Sequence, residues 1–122
     1  MTKYELENLI LENYGVTAEH PFEDDLDTAV FRHASNRKWF AIIMSVPRSK
    51  LGINDPSVIN IVNFKCDEEV AYSMVQESGI YPAYHMNKRH WISVALDGSV
   101  DDSTIEWLLG ISFELTFHKK KT

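Results

Sequence analysis

Cysteine is nearly absent: Cys66 stands alone in 122 residues. No intramolecular disulfide can form, and a reducing compartment is the natural setting. Glycine and proline number only five and four, too few for a collagenous, linker-like or low-complexity chain. No apolar run approaches the roughly 20 residues needed to cross a bilayer. The longest is Trp39 to Met44, and the polar start Met1-Thr2-Lys3-Tyr4-Glu5 has no apolar stretch of a secretory signal behind it. These absences argue for a cytoplasmic protein without a membrane partner. Positive charge is also in short supply. The net charge of −6 argues against strong non-specific attraction to phosphate. P-loop, G-x-G-x-x-G, G-x-S-x-G and H-E-x-x-H motifs are all missing, which removes the common phosphate-cradling, nucleophile-elbow and zinc-protease designs. The sequence is therefore expected to be no enzyme and to use no cofactor.

What is present suits one globular domain over 1–122. Hydrophobic residues make up 44% and charged residues 25%, with three Trp, five Tyr and six Phe as bulky core material. Charge is unevenly spread. Residues 1–30 carry −7, residues 31–66 carry +5 and residues 67–122 carry −4. An acidic N-terminal segment thus precedes a basic middle one, which reads either as solvated faces of mixed sign or as a surface for an anionic partner.

Thr2-x-x-Glu5 is a capping box, and Leu6, Leu9, Ile10 and Tyr14 recur at helical spacing before Gly15, which predicts a helix over 3–14. Val16 to Asp27 reads as an irregular connection. Thr28–His33 and Lys38–Val46 are β-rich runs separated by Ala34-Ser35-Asn36-Arg37, a hairpin signal. The second run is apolar in both alternating sets, Phe40/Ile42/Met44 and Trp39/Ala41/Ile43, so it is expected to be central or covered on both faces. Pro47, Gly52, Asn54 and Pro56 mark a loop presenting Arg48 and Lys50. Val58–Phe64 is a third strand. Asp67 starts a helix, with Glu68 and Glu69 in its first turn and Gly79 as its stop. Ile80–Met86 and Trp91–Leu96 form a second hairpin across Asn87–His90. Ile92, Val94 and Leu96 should face one side, with Trp91, Ser93 and Ala95 on the other. Ser99-x-x-Asp102 is a further capping-box candidate for a helix over 101–117 lined by Ile105, Leu108, Leu109, Ser112 and Leu115. Lys119–Lys121 form a basic tail. The order α-β-β-β-α-β-β-α predicts an α+β two-layer sandwich, an antiparallel sheet with helices on one side.

Three segments are distinctive: Asn63-Phe64-Lys65-Cys66-Asp67, the run Pro82-Ala83-Tyr84-His85-Met86-Asn87-Lys88-Arg89-His90-Trp91, and Leu96-Asp97-Gly98-Ser99. Together they resemble the MmcQ/YjbR-like family. Weaker echoes at Pro21-Phe22, Val30-Phe31 and Lys38-x-Phe40-Ala41 extend the match over nearly the whole chain. Glu68 and Asp101 stand where the family usually has Pro, and Ala83 and Glu23 where it usually has Gly. Ala83 is the departure able to reshape the hairpin, since Ala resists positive φ. The resemblance implies a two-layer fold similar to type III secretion chaperones and a family label of DNA binding, inferred from hairpin wings.

The densest chemistry lies on the second hairpin. Lys88 and Arg89 can contact phosphate, Asn87 or Arg89 can read base edges, and Tyr84 or Trp91 can stack, with His85 and His90 beside them. Arg37, Lys38 and Lys65 of the basic middle segment are candidates to join them. The alternative is structural, with Trp91 and Tyr84 packed and Asn87 and His85 satisfying turn backbone. His85-x4-His90 has poor metal-ligand spacing. Cys66 ahead of a helix reads either as an activated thiol or as a small buried hydrophobe. The function expected is a binding protein, DNA-binding and weak, through this hairpin. The rival is a protein-interaction or chaperone-like module using an apolar sheet face, monomeric or homodimeric.

Overall fold

The structure, a computed structural model, describes residues 1–117. The Lys119–Lys121 tail lies outside the described residues. Eight elements follow the expected order: α1 (Lys3–Tyr14), β1 (Ala29–Arg32), β2 (Trp39–Pro47), β3 (Val58–Lys65), α2 (Glu68–Met74), β4 (Ile80–Pro82), β5 (Trp91–Ala95) and α3 (Asp102–Phe117), with a 3₁₀ turn at Arg48–Leu51. The sheet runs β1-β2-β3-β5-β4, and every neighbouring pair is antiparallel. The last strand in sequence, β5, lies between β3 and β4. No described helix is long and apolar enough to cross a membrane.

All three helices lie on one face. Leu6 and Ile10 of α1, Ala71 of α2 and Ile105, Leu108 and Leu109 of α3 share a core with Phe31, Phe40, Ile43, Val62, Phe64, Ile92 and Val94. The capping box of α1 forms in both directions, and Gly15 ends the helix in the left-handed region. The opposite face is apolar too, but loops alone cover it. Val30, Ile42, Ala83 and Trp91 make one cluster there, and Val46, Ile59, Ile61 and Ala95 another.

The alternation of β2 is rephased. Opposite Phe31 sits Ala41, while opposite Arg32 sits Trp39, so Phe40 is an extra residue in a β-bulge. Phe40 therefore packs under the helices beside Ala41 and Ile43. Trp39 joins Ile42 and Met44 on the helix-free face, not Ala41 and Ile43 as strict alternation predicts. A buried hydroxyl on α3 holds the bulge: Ser112 Oγ donates to the Phe40 carbonyl (2.6 Å) and accepts from the Lys65 amide (2.8 Å).

Several local details differ from the sequence expectation. Helix α2 ends at Met74, with Val75 still right-handed. Gly79 instead turns the chain into β4 at φ +85°. Ser99 caps no helix, because its hydroxyl donates to Asp97 Oδ1 (2.5 Å). Leu115 is exposed while Thr116 takes the buried position. Arg48 is half-buried, paired with Asp97 at 3.5 Å and donating to Ser57 at 2.8 Å.

Two substitutions test these packing arguments. A Cβ at Gly79 would run into the Ser99 and Val100 side chains, whereas one at Gly52 (φ +84°) meets nothing within 4 Å. Gly79→Ala should cost more than the roughly 1–2 kcal/mol of a left-handed alanine, and Gly52→Ala about that much, measured by urea denaturation. Ser112→Ala removes the buried hydroxyl that donates to the Phe40 carbonyl and accepts from the Lys65 amide. It should cost about 1–3 kcal/mol and speed hydrogen exchange at Lys65.

Candidate functional site

The bulge determines what gathers at one end of the sheet. Just before β2 the chain turns through Arg37, which has φ +64°. The turn is tied down by Asn36, whose Oδ1 accepts from the Lys38 amide (2.9 Å) and whose Nδ2 donates to the Thr116 carbonyl at the end of α3 (2.8 Å). On the far side of the bulge, β3 ends at Lys65, which lies opposite Trp91, the first residue of β5. Arg37, Lys38, Trp39, Lys65, Trp91 and Thr116 thereby line one open cleft of about 420 Å³. Glu19 pairs with Arg32 at 3.3 Å and Arg37 at 3.4 Å, and the Arg32 guanidinium lies over the Trp39 ring at 5.5 Å. Lys38 and Lys65 take no part in any ion pair among the described residues.

The segment from Tyr84 to His90 is a loop and not the strand and tight turn its sequence suggests, because β4 stops at Pro82. Side chains from the inner strands capture the chain instead. The Tyr84 amide donates to Ser93 Oγ (2.8 Å), and the Tyr84 carbonyl accepts from Asn63 Nδ2 (3.0 Å). Ser93 Oγ in turn donates to Asn63 Oδ1 (2.5 Å). This buried triangle replaces ladder bonds and draws the loop over the helix-free face. Ala83 is fully buried and is not among the residues with positive φ. The left-handed residue is His85, at φ +60°, stacked on Tyr84 with ring centroids 3.9 Å apart.

The loop's cations are engaged within the protein. Lys88 Nζ donates to the Ala83 carbonyl (2.8 Å), so it does not simply point outward. Arg89 donates twice to Glu68, at 2.9 and 3.2 Å. That pairing holds the Glu68 carboxyl below its usual range and raises the Arg89 guanidinium. Asn87 Oδ1 accepts from the Arg89 amide (2.8 Å), an Asx-type turn. Trp91 is buried, with its edge at the basic cleft, and His90 is exposed. Of the ten sequence candidates, Arg37, Lys38, Lys65 and Trp91 line one cleft, Asn87, Lys88 and Arg89 are engaged within the loop or with Glu68, His90 is exposed, and Tyr84 and His85 line a different cleft.

That second cleft, of about 490 Å³, lies on the helix-free face, and the sequence did not reveal it. Phe22, Trp39, Ile42, Met44, Tyr84 and Met86 line it, with Asp24 and Asp25 at the rim. Asp25 is fixed by both the amide and the hydroxyl of Thr28.

Cys66 is 1% exposed, and burial, aided by the neighbouring Asp67 charge, pushes its thiol up to about 11. Among the described residues no three His, Cys, Asp or Glu side chains group as metal ligands. His33 is buried against Phe113, with its Nε2 2.8 Å from Thr116 Oγ1, and desolvation lowers its pKa.

Known proteins resemble this chain over almost its full length. The YjbR family model matches residues 11–115, which include every candidate named above. The uncharacterized protein YyaQ of Bacillus subtilis (strain 168) is 36% identical over 116 residues, spanning 95% of this chain and 98% of that protein. A crystal structure of a Pseudomonas syringae protein is 40% identical, covers 95% of this chain and 99% of its own, and superposes with a TM-score of 0.93. A Deinococcus radiodurans protein with a DUF419 domain is 28% identical, covers 99% and 82% respectively, and gives a TM-score of 0.75.

The thiol offers a direct check on the buried Cys66. With its pKa near 11, the native protein should react with a disulfide reagent at neutral pH far more slowly than the urea-unfolded chain, since only the thiolate attacks. Equal rates in both states would contradict the burial.

Proposed function

The chain belongs to the YjbR family, and we propose that this member is a binding protein without catalytic chemistry whose anionic partner, nucleic acid, is held at the basic end of the sheet. The observation that carries the reading is the convergence of Arg37, Lys38 and Lys65, from two separate stretches of chain, on a single cleft edged by Trp39 and Trp91. Lys38 and Lys65 supply charge for phosphate oxygens, and Arg37 adds a planar guanidinium suited to bidentate contact. The helix layer works the other way. It contains one lysine, Lys3, against eight carboxylates, so a polyanion approaching from that side is repelled and the basic end is the favoured approach. Arg89 is a reserve cation, exposed but committed to Glu68.

A second reading has its own support. The helix-free cleft is apolar and aromatic, about 490 Å³ in volume, and suits an apolar segment of a protein partner or of a second copy of the chain. Under that reading the protein is an interaction module, and the basic end is a solvated rim.

Salt-dependent binding to random duplex DNA separates the two. The parent should bind weakly, no better than about 10⁻⁴ to 10⁻⁶ M. Lys38→Ala with Lys65→Ala should flatten the slope of log affinity against log salt by roughly 2 units, because each lysine releases about one counterion. Glu68→Gln, which frees Arg89, should tighten binding. Absence of binding by the parent at low salt would overturn the nucleic-acid reading and leave the apolar cleft as the working surface.

A further inference from the structure

The outward side of the helix layer carries a feature that the basic end does not use. On α3, Trp107 is 53% exposed and Leu115 38%. They flank an open groove of about 520 Å³ lined by Tyr14 from the end of α1, Val70 from α2, and Gly110 and Ile111 between the two exposed residues. Glycine at 110 keeps the groove open. It sits inside a 16-residue helix at right-handed φ, where it costs helix propensity, and a Cβ there would meet only the Tyr14 hydroxyl, at 3.9 Å. From Trp107 to Leu115 the groove spans roughly 12 Å at the α-helical rise, about two turns of a facing helix.

The rim decides what chemistry fits. Asp67, Glu106 and Glu114 border the groove, Glu69 borders the adjoining hollow beside Trp107, and neither α2 nor α3 contains a lysine or arginine. A second copy of the chain presenting the same face would bring carboxylates against carboxylates, so self-association through this groove is disfavoured. We infer that the groove is a docking site for a basic amphipathic helix of a partner protein, its apolar residues at i, i+3/i+4 and i+7 seated against Trp107, Ile111 and Leu115, and its Lys or Arg residues meeting the acidic rim. The site lies on the helix layer, and its occupation is independent of what binds at the basic end of the sheet.

Fluorescence anisotropy of the full chain with a labelled leucine–lysine amphipathic helical peptide tests this. The lysine peptide should bind at least about tenfold more tightly than a glutamate counterpart with the same apolar pattern, and than a scrambled peptide of identical composition. Gly110→Leu fills the groove at a position with room for the side chain, and Trp107→Ala removes its largest wall. Each should weaken the lysine peptide by about tenfold or more while leaving circular dichroism, melting temperature at or above the parent's for Gly110→Leu, and duplex DNA affinity unaffected. Equal binding of the lysine and glutamate peptides, equal binding of the scrambled peptide, or unchanged binding by folded Gly110→Leu would each overturn the proposal. So would parent self-association in sedimentation that Gly110→Leu abolishes, since the groove would then belong to a second copy.

Discussion

A single buried hydroxyl fixes the geometry of the candidate interface. Ser112 Oγ joins the Phe40 carbonyl to the Lys65 amide, two backbone groups beside the bulge in β2. Without a partner each would carry the desolvation cost of a buried polar group. With one, the extra residue is tolerated. The consequence is local and specific. Trp39 moves to the helix-free face, where it forms part of the wall of both clefts, and the Arg37-Lys38 turn is set across from Lys65. A regular strand would have packed Trp39 beneath the helices and removed the edge on which both clefts depend.

Charge is divided by layer in the same way. The helices carry the acidic excess and the end of the sheet the basic one, so the net charge of −6 describes neither surface. At physiological ionic strength charges farther apart than about 8 Å are largely screened in solvent. A phosphate at the Lys38–Lys65 cleft therefore responds mainly to the cations that line it and to Glu19, which pairs with Arg37 there. The argument from net charge against phosphate binding, sound for a uniform surface, weakens once the layers are separated in space.

Much of the fold was legible because its signals are short-range. The Thr2/Glu5 capping box, the left-handed Gly15, the alternation of Ile92, Val94 and Leu96, and the order of all eight elements follow from neighbours within a few residues, and the distinctive segments identified the family. The bulge was not legible, since a strand apolar on both faces offers no polar residue to mark its phase. Nor was the loop after Pro82, whose course depends on Asn63 and Ser93 reaching across the sheet. The Arg89–Glu68 and Lys88–Ala83 contacts lie in the same class: the sequence shows a cation but not what already occupies it. Arg37, Lys38 and Lys65 were legible as residues, and only the fold revealed that they share a cleft.

The most distinctive stretch of sequence and the most available charge therefore part company. From Ala83 to Trp91 several polar side chains are exposed yet engaged within the protein: Asn87 shapes its own turn, Lys88 caps a carbonyl, Arg89 braces the first turn of α2, and Tyr84 is held by its backbone while its ring supports His85. Such a segment specifies a loop shape, and the unusual residue types within it are what that shape requires. Of the cations lining the basic cleft, Lys38 and Lys65 take part in no ion pair among the described residues, and they sit on either side of the bulge. For phosphate to draw Arg89 in, its attraction must exceed that of a bidentate, solvent-exposed carboxylate pair, a contest worth little in either direction. The loop thus contributes to an interface chiefly through the wall it builds, and the electrostatic contribution falls to the residues that Ser112 brings together.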